Sequence, residues 1–293
     1  MAGNDVSIDI ALLHRVMALA ISAGEIVLPF YRAVGRLQVE RKIDQTPVTE
    51  ADRAADRLLS SQLPELLHLP VLSEESQVPP YAVRSTWSRY WLVDPLDGTR
   101  EFLSGRGEFT VNIALIDNGQ PILGVVYVPV AGVGYAALKG SGAYRYEEGQ
   151  YQPIRARVMS ERGGRGKPLT VVISRRYGEG KVGQLRDELL QAFSHVTVEQ
   201  VGSSIKQCRI AEGSADLCLH LWPTSEWDTA AGQAIVEAAG GVLVNTCFEP
   251  LRYNNKASTL NPSFYVVADR DFAWRTLLGA CQKLLAPGAQ NLE

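Results

Sequence analysis

Apolar side chains recur at helical spacing near the start of the chain. Leu13, Val16, Met17, Ala20, Ile21, Val27 and Leu28 share one face of residues 8–31. Gly24 falls on that face, where it weakens a helix slightly but lets another element approach closely. Pro29 is expected to kink or end the helix, because it has no N–H and its ring crowds the preceding turn. A link over 35–48 leads to a second helix from Glu50 to about Leu63, with Thr49 and Asp52 forming a weak capping box at its start. From Tyr90 the pattern changes to strands. Tyr90 to Val93 is a short apolar run that Asp94-Pro95 is expected to halt. Phe109, Val111, Ile113 and Leu115 alternate with Thr110, Asn112 and Ala114. Asn118-Gly119 marks a hairpin turn, and Ile122 to Val128 returns as the partner strand. Tyr135 to Leu138 predicts a third strand, closed by Gly140-Ser141-Gly142.

Residues 147–168 are polar, basic and Gly-rich, and read as a hairpin followed by a mobile crossing. Beyond them the pattern alternates: strand 169–174, helix 181–193, strand 195–200, helix 203–212, strand 215–221, helix 228–239, strands 241–246 and 263–268, and helix 270–285. An antiparallel meander followed by alternating elements predicts stacked layers of sheet and helix, α+β in the first half and α/β in the second. The boundary divides the chain into halves at 1–160 and 161–293.

Composition narrows the function. At 293 residues and 46% hydrophobic, the chain can bury a sizeable core without disulfides or a structural metal. The net charge of −3 gives no general basic surface, which argues against a nucleic-acid partner. Cys208, Cys218, Cys247 and Cys281 lack metal spacing, and Asp5 and Asp9 stand where an export signal would be basic. The apolar run Val16 to Ala23 falls short of the roughly 20 residues that span a bilayer. These features predict a cytoplasmic chain with free, mostly buried thiols and no stable membrane insertion.

Three acidic segments carry the candidate chemistry. In Asp94-Pro95-Leu96-Asp97-Gly98-Thr99 an apolar strand delivers two carboxylates, a permissive glycine and a hydroxyl. A short helix starting at Asp97 would turn free N–H groups toward the same place, pairing ligands for a hard cation with donors for an anion. Taken singly, each aspartate could merely end a strand or cap a helix. Glu74, in Leu72-Ser73-Glu74-Glu75-Ser76, stands at another strand end or in a solvated loop. Asp228, in Trp227-Asp228-Thr229-Ala230-Ala231-Gly232, opens a small-residue helix or simply caps it. Two carboxylates about 4 Å apart repel by about 4 kcal/mol at an effective dielectric of 20, so gathering several calls for a divalent cation.

Together, in this order and separation, these motifs resemble the inositol monophosphatase-like superfamily of Mg²⁺-dependent, lithium-sensitive phosphatases, over residues 10 to 285. Thr99-Arg100-Glu101-Phe102, Gly107 to Ala114, Gly202-Ser203-Ser204-Ile205-Lys206, Glu226 to Gly232 and Leu260-Asn261-Pro262 resemble its CysQ branch, the 3′(2′),5′-bisphosphate nucleotidases. The resemblance implies an alternating α-β-α-β-α sandwich whose two halves share one site. It implies Mg²⁺, two or three ions, held by Glu74, Asp94, Asp97, Asp228 and the Leu96 carbonyl. Thr99 with Glu74 would position and activate the attacking water, and Asp52 would hold Thr99, although Asp52 could instead serve only its capping box. Gly98 and Thr99 N–H groups would grip the phosphate, with Ser203 and Lys206 as further substrate contacts and Lys42 nearby. Lys206 could equally lie solvated on its helix.

The implied reaction is hydrolysis of adenosine 3′,5′-bisphosphate to AMP and phosphate, clearing a by-product of sulfate activation. An inositol monophosphatase, another small sugar-phosphate phosphatase and an inactive binding module are the alternatives. Relatives commonly have Ser-Arg-Ser-His where this chain has Ser174-Arg175-Arg176-Tyr177, and Tyr-Pro-Arg where it has Cys218-Leu219-His220. Tyr177 and His220 are therefore candidate replacements in substrate binding, with Arg175 or Arg176 supplying a guanidinium. The resemblance leaves a homodimer open, along with peripheral contact at the inner face of the cell membrane.

Overall fold

The computed structural model describes residues 7–33, 40–41, 47–48, 50–159 and 168–285. The predicted first helix is α1 (Ile10–Arg32), begun by Asp9, whose Oδ1 accepts the Leu12 N–H at 3.0 Å. Its face of Leu13, Val16, Met17, Ala20 and Val27 is buried, as the spacing predicts. Pro29 does not end it. The ring and Glu25, the residue whose carbonyl it leaves free, are both exposed, so the helix runs on to Arg32. By length and composition α1 could cross a bilayer, yet its apolar face lies on a sheet. A Cβ on Gly24 would stand 2.7 Å from the Tyr127 ring, which is the close approach that the glycine permits. The short pair β1 (Glu40–Arg41) and β2 (Pro47–Val48) precedes α2 (Glu50–Leu66), which packs beside α1. Thr49 and Lys42 lie outside the described residues.

A seven-stranded sheet follows. Its strands are β3 (Val71–Ser73), β4 (Arg89–Asp97), β5 (Thr110–Asp117), β6 (Gln120–Val128), β7 (Val133–Leu138), β8 (Gly142–Glu147) and β9 (Gln150–Ile154), hydrogen-bonded in that order. Only the β3–β4 pair is parallel. The small helices α3 (Tyr81–Arg84) and α4 (Thr99–Leu103) flank β4. The predicted hairpin at 147–150 is present, and the crossing after it, 160–167, lies outside the described residues.

The second sheet comprises β10 (Pro168–Ile173), β11 (His195–Gln200), β12 (Leu217–His220), β13 (Val242–Asn245) and β14 (Phe264–Val267), in the order β11-β10-β12-β14-β13. Its helices are α5 (Glu179–Leu189), α6 (Ile205–Ala211), α7 (Ala230–Ala238) and α8 (Trp274–Leu285). The last helix starts four residues later than predicted, because Asp269 and Phe272 form a turn that accepts the Trp274 ring and backbone N–H groups.

Strand alternation sorts the core into layers. Trp91, Val93, Val111, Ile113 and Val125 face α1 and α2, whereas Tyr90, Leu92, Ala114 and Val126 face α6 and α7. The same two helices meet Val172, Cys218, Leu243 and Val266 of the second sheet, whose opposite face is covered by α5 and α8. The result is the expected five-layer α-β-α-β-α sandwich.

The middle layer is tight. A Cβ on Gly124 of β6 would fall 2.3 Å from the Ala231 carbonyl oxygen and 2.8 Å from Ala234 Cβ. Because backbone must move to admit it, Gly124→Ala is expected to destabilise the fold by about 3 kcal/mol in urea unfolding, the upper end for overpacking. Unchanged stability would show that α7 is free to shift.

Candidate active site

Asp94 and Asp97 should point to opposite faces of a regular strand, since they are separated by an odd number of residues. The strand is not regular there. Asp94 pairs with Asn112 and Asp97 with Thr110, so three steps on β4 match two on β5. This bulge puts both aspartates on the face toward α6 and α7. Pro95 sits inside it, where no ladder hydrogen bond is required, and so β4 is not halted at Asp94-Pro95 but continues to Asp97. Parallel pairing sets the end of β3 beside β4, and Glu74 N–H donates to the Val93 carbonyl at 3.2 Å.

Asp228 arrives from the other side. The helix predicted to open with it begins at Ala230; Asp228 instead ends a single 3₁₀ turn, Glu226–Asp228. Its Oδ2 accepts the Ser225 N–H at 2.8 Å, so it does cap the turn, but with only one oxygen. Ligand oxygens of Glu74, Asp94 and Asp228 lie within 4.8 Å of one another. Burial pushes the Asp94 carboxyl well above the usual range, and the charges of Glu74, Asp97, Asp228 and Asp52 add to that rise. Asp228 is raised likewise, by burial, then by Asp97 and Glu74. Neither Asp94, Asp97 nor Asp228 has an ion pair with a described residue. Hard oxygen donors crowded in this way, without a counter-charge, fit a divalent cation.

Asp97 is held firmly. Its Oδ2 accepts the Ser204 N–H at 2.6 Å, with the Ser204 hydroxyl at 2.8 Å and the Thr110 and Asn112 side chains each at 3.4 Å. Ser204 Oγ also lies 2.9 Å from the Asp228 carbonyl oxygen, and Gln207 Nε2 donates to that same oxygen at 3.0 Å. The start of α6 thereby ties the β4 carboxylate to the Asp228 turn. Ser204 and Asn112 received no role from sequence reading, although both lie in segments, Gly202 to Lys206 and Gly107 to Ala114, that carry the family resemblance.

Past Asp97 the chain turns sharply. Gly98 has φ 94°, and a Cβ there would stand 3.1 Å from the Glu108 carbonyl oxygen. Thr99 opens α4, its hydroxyl 3.4 Å from the Leu96 carbonyl. Leu96, Gly98, Thr99, Ser203 and Lys206 line one cleft of about 680 Å³ together with Glu74, Asp94, Asp97 and Asp228. Asp52 is buried behind the cleft wall, close enough to Asp94 to raise its pKa.

Side chains around the cleft settle several open choices. Lys206 is buried rather than solvated, its ammonium donating to the Ser203 carbonyl at 2.6 Å. Tyr177 is not among the residues that line the cleft: it is 2% exposed, and its Oη accepts the Leu221 N–H at 3.1 Å. His220 stacks on Phe264 with ring centroids 4.9 Å apart, and burial, Lys206 and Arg176 hold its pKa well down, so it meets the cleft as a neutral ring. Cys208 and Cys218 are buried free thiols as expected, but Cys247 is exposed. The Cys281 side chain lies outside the described residues.

A cleft between layered sheets that brings Glu74, Asp94, Asp97 and Asp228 beside the Gly98-Thr99 turn fits a metal-dependent phosphoesterase type of site. Residues 11–275 match the inositol monophosphatase family model, and the chain belongs to that family of metal-dependent phosphatases. The 3′(2′),5′-bisphosphate nucleotidase CysQ of Escherichia coli strain K12 is 44% identical over 87% of this chain and 99% of its own length. CysQ of Aggregatibacter actinomycetemcomitans is 35% identical, covering 90% and 95%. The crystal structure of CysQ from Bacteroides thetaiotaomicron superimposes with a TM-score of 0.71 at 37% identity, covering 90% of this chain and 100% of that one.

Like-charge crowding gives a prediction that does not depend on turnover. Asp94→Asn keeps an acceptor for the Leu96 N–H, made at 3.0 Å by Asp94 Oδ1, while removing one buried charge. In metal-free protein the substitution should raise Tm by a few degrees, about 2–4 °C per kcal/mol for a chain of this order of size. Mg²⁺ should then raise Tm of the wild type but not of the variant. A variant less stable than the wild type without metal would show that Asp94 is not strained by its neighbours.

Proposed function

We propose that the protein is a Mg²⁺-dependent 3′(2′),5′-bisphosphate nucleotidase, hydrolysing adenosine 3′,5′-bisphosphate to AMP and phosphate. The observation that carries the reading is the meeting of Glu74, Asp94 and Asp228 beside the Asp97-Gly98-Thr99 turn, in a chain 44% identical to a CysQ nucleotidase. Glu74, Asp94, Asp97, Asp228 and the Leu96 carbonyl hold two or three Mg²⁺ ions. Bound Mg²⁺ supplies Lewis acidity, lowering the pKa of water and stabilising charge on the departing oxygen.

The chain's own groups do the rest. Glu74 and Thr99 orient the attacking water, and Glu74 takes its proton. Asp52, buried against the Asp94 side of the cleft, holds this arrangement from behind. Backbone N–H groups of Gly98 and Thr99 bind the phosphate oxygens, and Ser203 and Lys206 border the same space. Water oxygen bonds to phosphorus as the ester P–O bond breaks, and the departing ribose oxygen takes a proton from solvent water while Glu74 later returns its own proton to solvent.

The site draws on two halves, 1–160 and 161–293, that form one catalytic unit. Glu74, Asp94 and Asp97 come from the first, and Asp228 from the second. Free thiols support a reducing cytoplasm as its setting. The apolar face of α1 packs on the first sheet, as in the core of a globular domain.

The test is phosphate release from adenosine 3′,5′-bisphosphate beside inositol 1-phosphate, with and without Mg²⁺ and Li⁺. The bisphosphate should be hydrolysed at least tenfold better in kcat/KM, only with Mg²⁺, and Li⁺ should inhibit. Asp97→Asn should fold and lose activity by about 100-fold or more. Equal or better turnover of the inositol ester would overturn the nucleotidase reading while sparing the metal site. No release from either ester would overturn both.

A further inference from the structure

The cleft holds cations as well as carboxylates. Arg100, Arg106, Arg175, Arg176 and Lys206 all border it. Two of these cations are already engaged. Arg175 grips Glu108 with both Nε, at 2.9 Å, and a terminal nitrogen, at 2.5 Å. Glu108 also accepts the Gly202 N–H at 2.9 Å, so this pair braces the loop that carries Ser203. Lys206 is turned toward the Ser203 carbonyl. The guanidinium groups of Arg100, Arg106 and Arg176, by contrast, have no hydrogen bond or ion pair among the described residues, and of these Arg100 and Arg176 act on each other's charge.

Arg176 is nonetheless firmly placed. Its N–H donates to Ser174 Oγ at 3.3 Å, and the next residue, Tyr177, is anchored in the core at both ends. Gln200 Nε2 donates to the Tyr177 carbonyl at 2.6 Å, and Leu221 N–H donates to its hydroxyl. With Tyr177 directed inward and Arg175 bonded to Glu108, Arg176 is the cation of the loop left unpaired at the cleft. Burial lowers its pKa, and Arg100 lowers it further, while Glu101, Asp228 and Asp97 partly compensate. Two guanidiniums that feel one another with no carboxylate bonded to either create a place for an anion.

We propose that Arg176, together with Arg100, binds the phosphate of the substrate that is not hydrolysed and so selects a bisphosphate over a monophosphate. The inference rests on the phosphatase reading above and extends it to the origin of specificity. It also gives the double arginine of Ser174-Arg175-Arg176-Tyr177 a division of labour: Arg175 shapes the cleft and Arg176 meets the ligand.

The test compares adenosine 3′,5′-bisphosphate with adenosine 3′-monophosphate, which lacks the second phosphate, in the wild type, Arg176→Gln and Arg176→Lys. Arg176→Gln should raise KM for the bisphosphate about tenfold more than KM for the monophosphate, the scale of one charge-assisted hydrogen bond. Arg176→Lys should recover part of the loss. Calorimetry supplies a readout independent of turnover: AMP, which retains the 5′-phosphate, should bind Arg176→Gln about tenfold more weakly than the wild type. Equal KM changes for both esters, or unchanged AMP affinity, would overturn the inference. Neither result would touch the nucleotidase reading, which stands or falls on wild-type turnover of the bisphosphate.

Discussion

Carboxylates crowded into one half-buried cleft repel one another, and the surrounding structure acts to hold Glu74, Asp94 and Asp228 together against that repulsion. Desolvation and mutual charge both disfavour ionising Asp94, so the cluster on its own is a local strain. It persists because each carboxylate is fixed by backbone that cannot easily yield. Glu74 is held by pairing with β4, Asp94 by the bulge that follows it, and Asp228 by the Ser225 N–H in a 3₁₀ turn. A divalent cation would relieve the strain.

The layers explain why four distant segments meet. The face of the first sheet that carries Asp94 and Asp97 is also the face covered by α6 and α7. The turn before α7 brings Asp228, and the start of α6 brings Ser204, whose backbone and hydroxyl join Asp97 to the Asp228 carbonyl. Close packing fixes that middle layer: Gly124 lies against Ala231, and Gly232 against Gln207. A shift of α7 by even an ångström would therefore move one side of the metal cluster relative to the other. Packing density at two glycines thus becomes precision at the active site.

Much of this arrangement is legible in the chain, for identifiable reasons. Helix faces such as Leu13, Val16, Met17 and Ala20 follow from periodicity, and the five layers follow from alternation of elements. The three acidic motifs stand out because their chemistry is concentrated in short strings. What the sequence does not reveal depends on register and on direction. Pro95 reads as a strand stop, because only the partner strand shows that a bulge absorbs it. Asp228 reads as the opening of a helix, although it ends a separate turn. Tyr177 reads as a substrate contact and Lys206 as an undecided surface cation, yet both are drawn inward by partners more than ten residues away or by a neighbouring carbonyl. Glu108 lies in a segment that carries the resemblance, yet its bracing role is not legible there, because Arg175 and Gly202 create it from distant parts of the chain.

The account therefore depends on one claim, that the bulge in β4 and the turn before α7 build a site for divalent metal. Anomalous diffraction from crystals soaked in Mn²⁺, a redox-stable stand-in for Mg²⁺ with the same preference for oxygen ligands, tests it most directly. The predicted result is a strong anomalous peak coordinated by carboxylate oxygens of Glu74, Asp94 and Asp228. A map with no peak there at saturating Mn²⁺, or with peaks only on surface carboxylates elsewhere, would contradict the account.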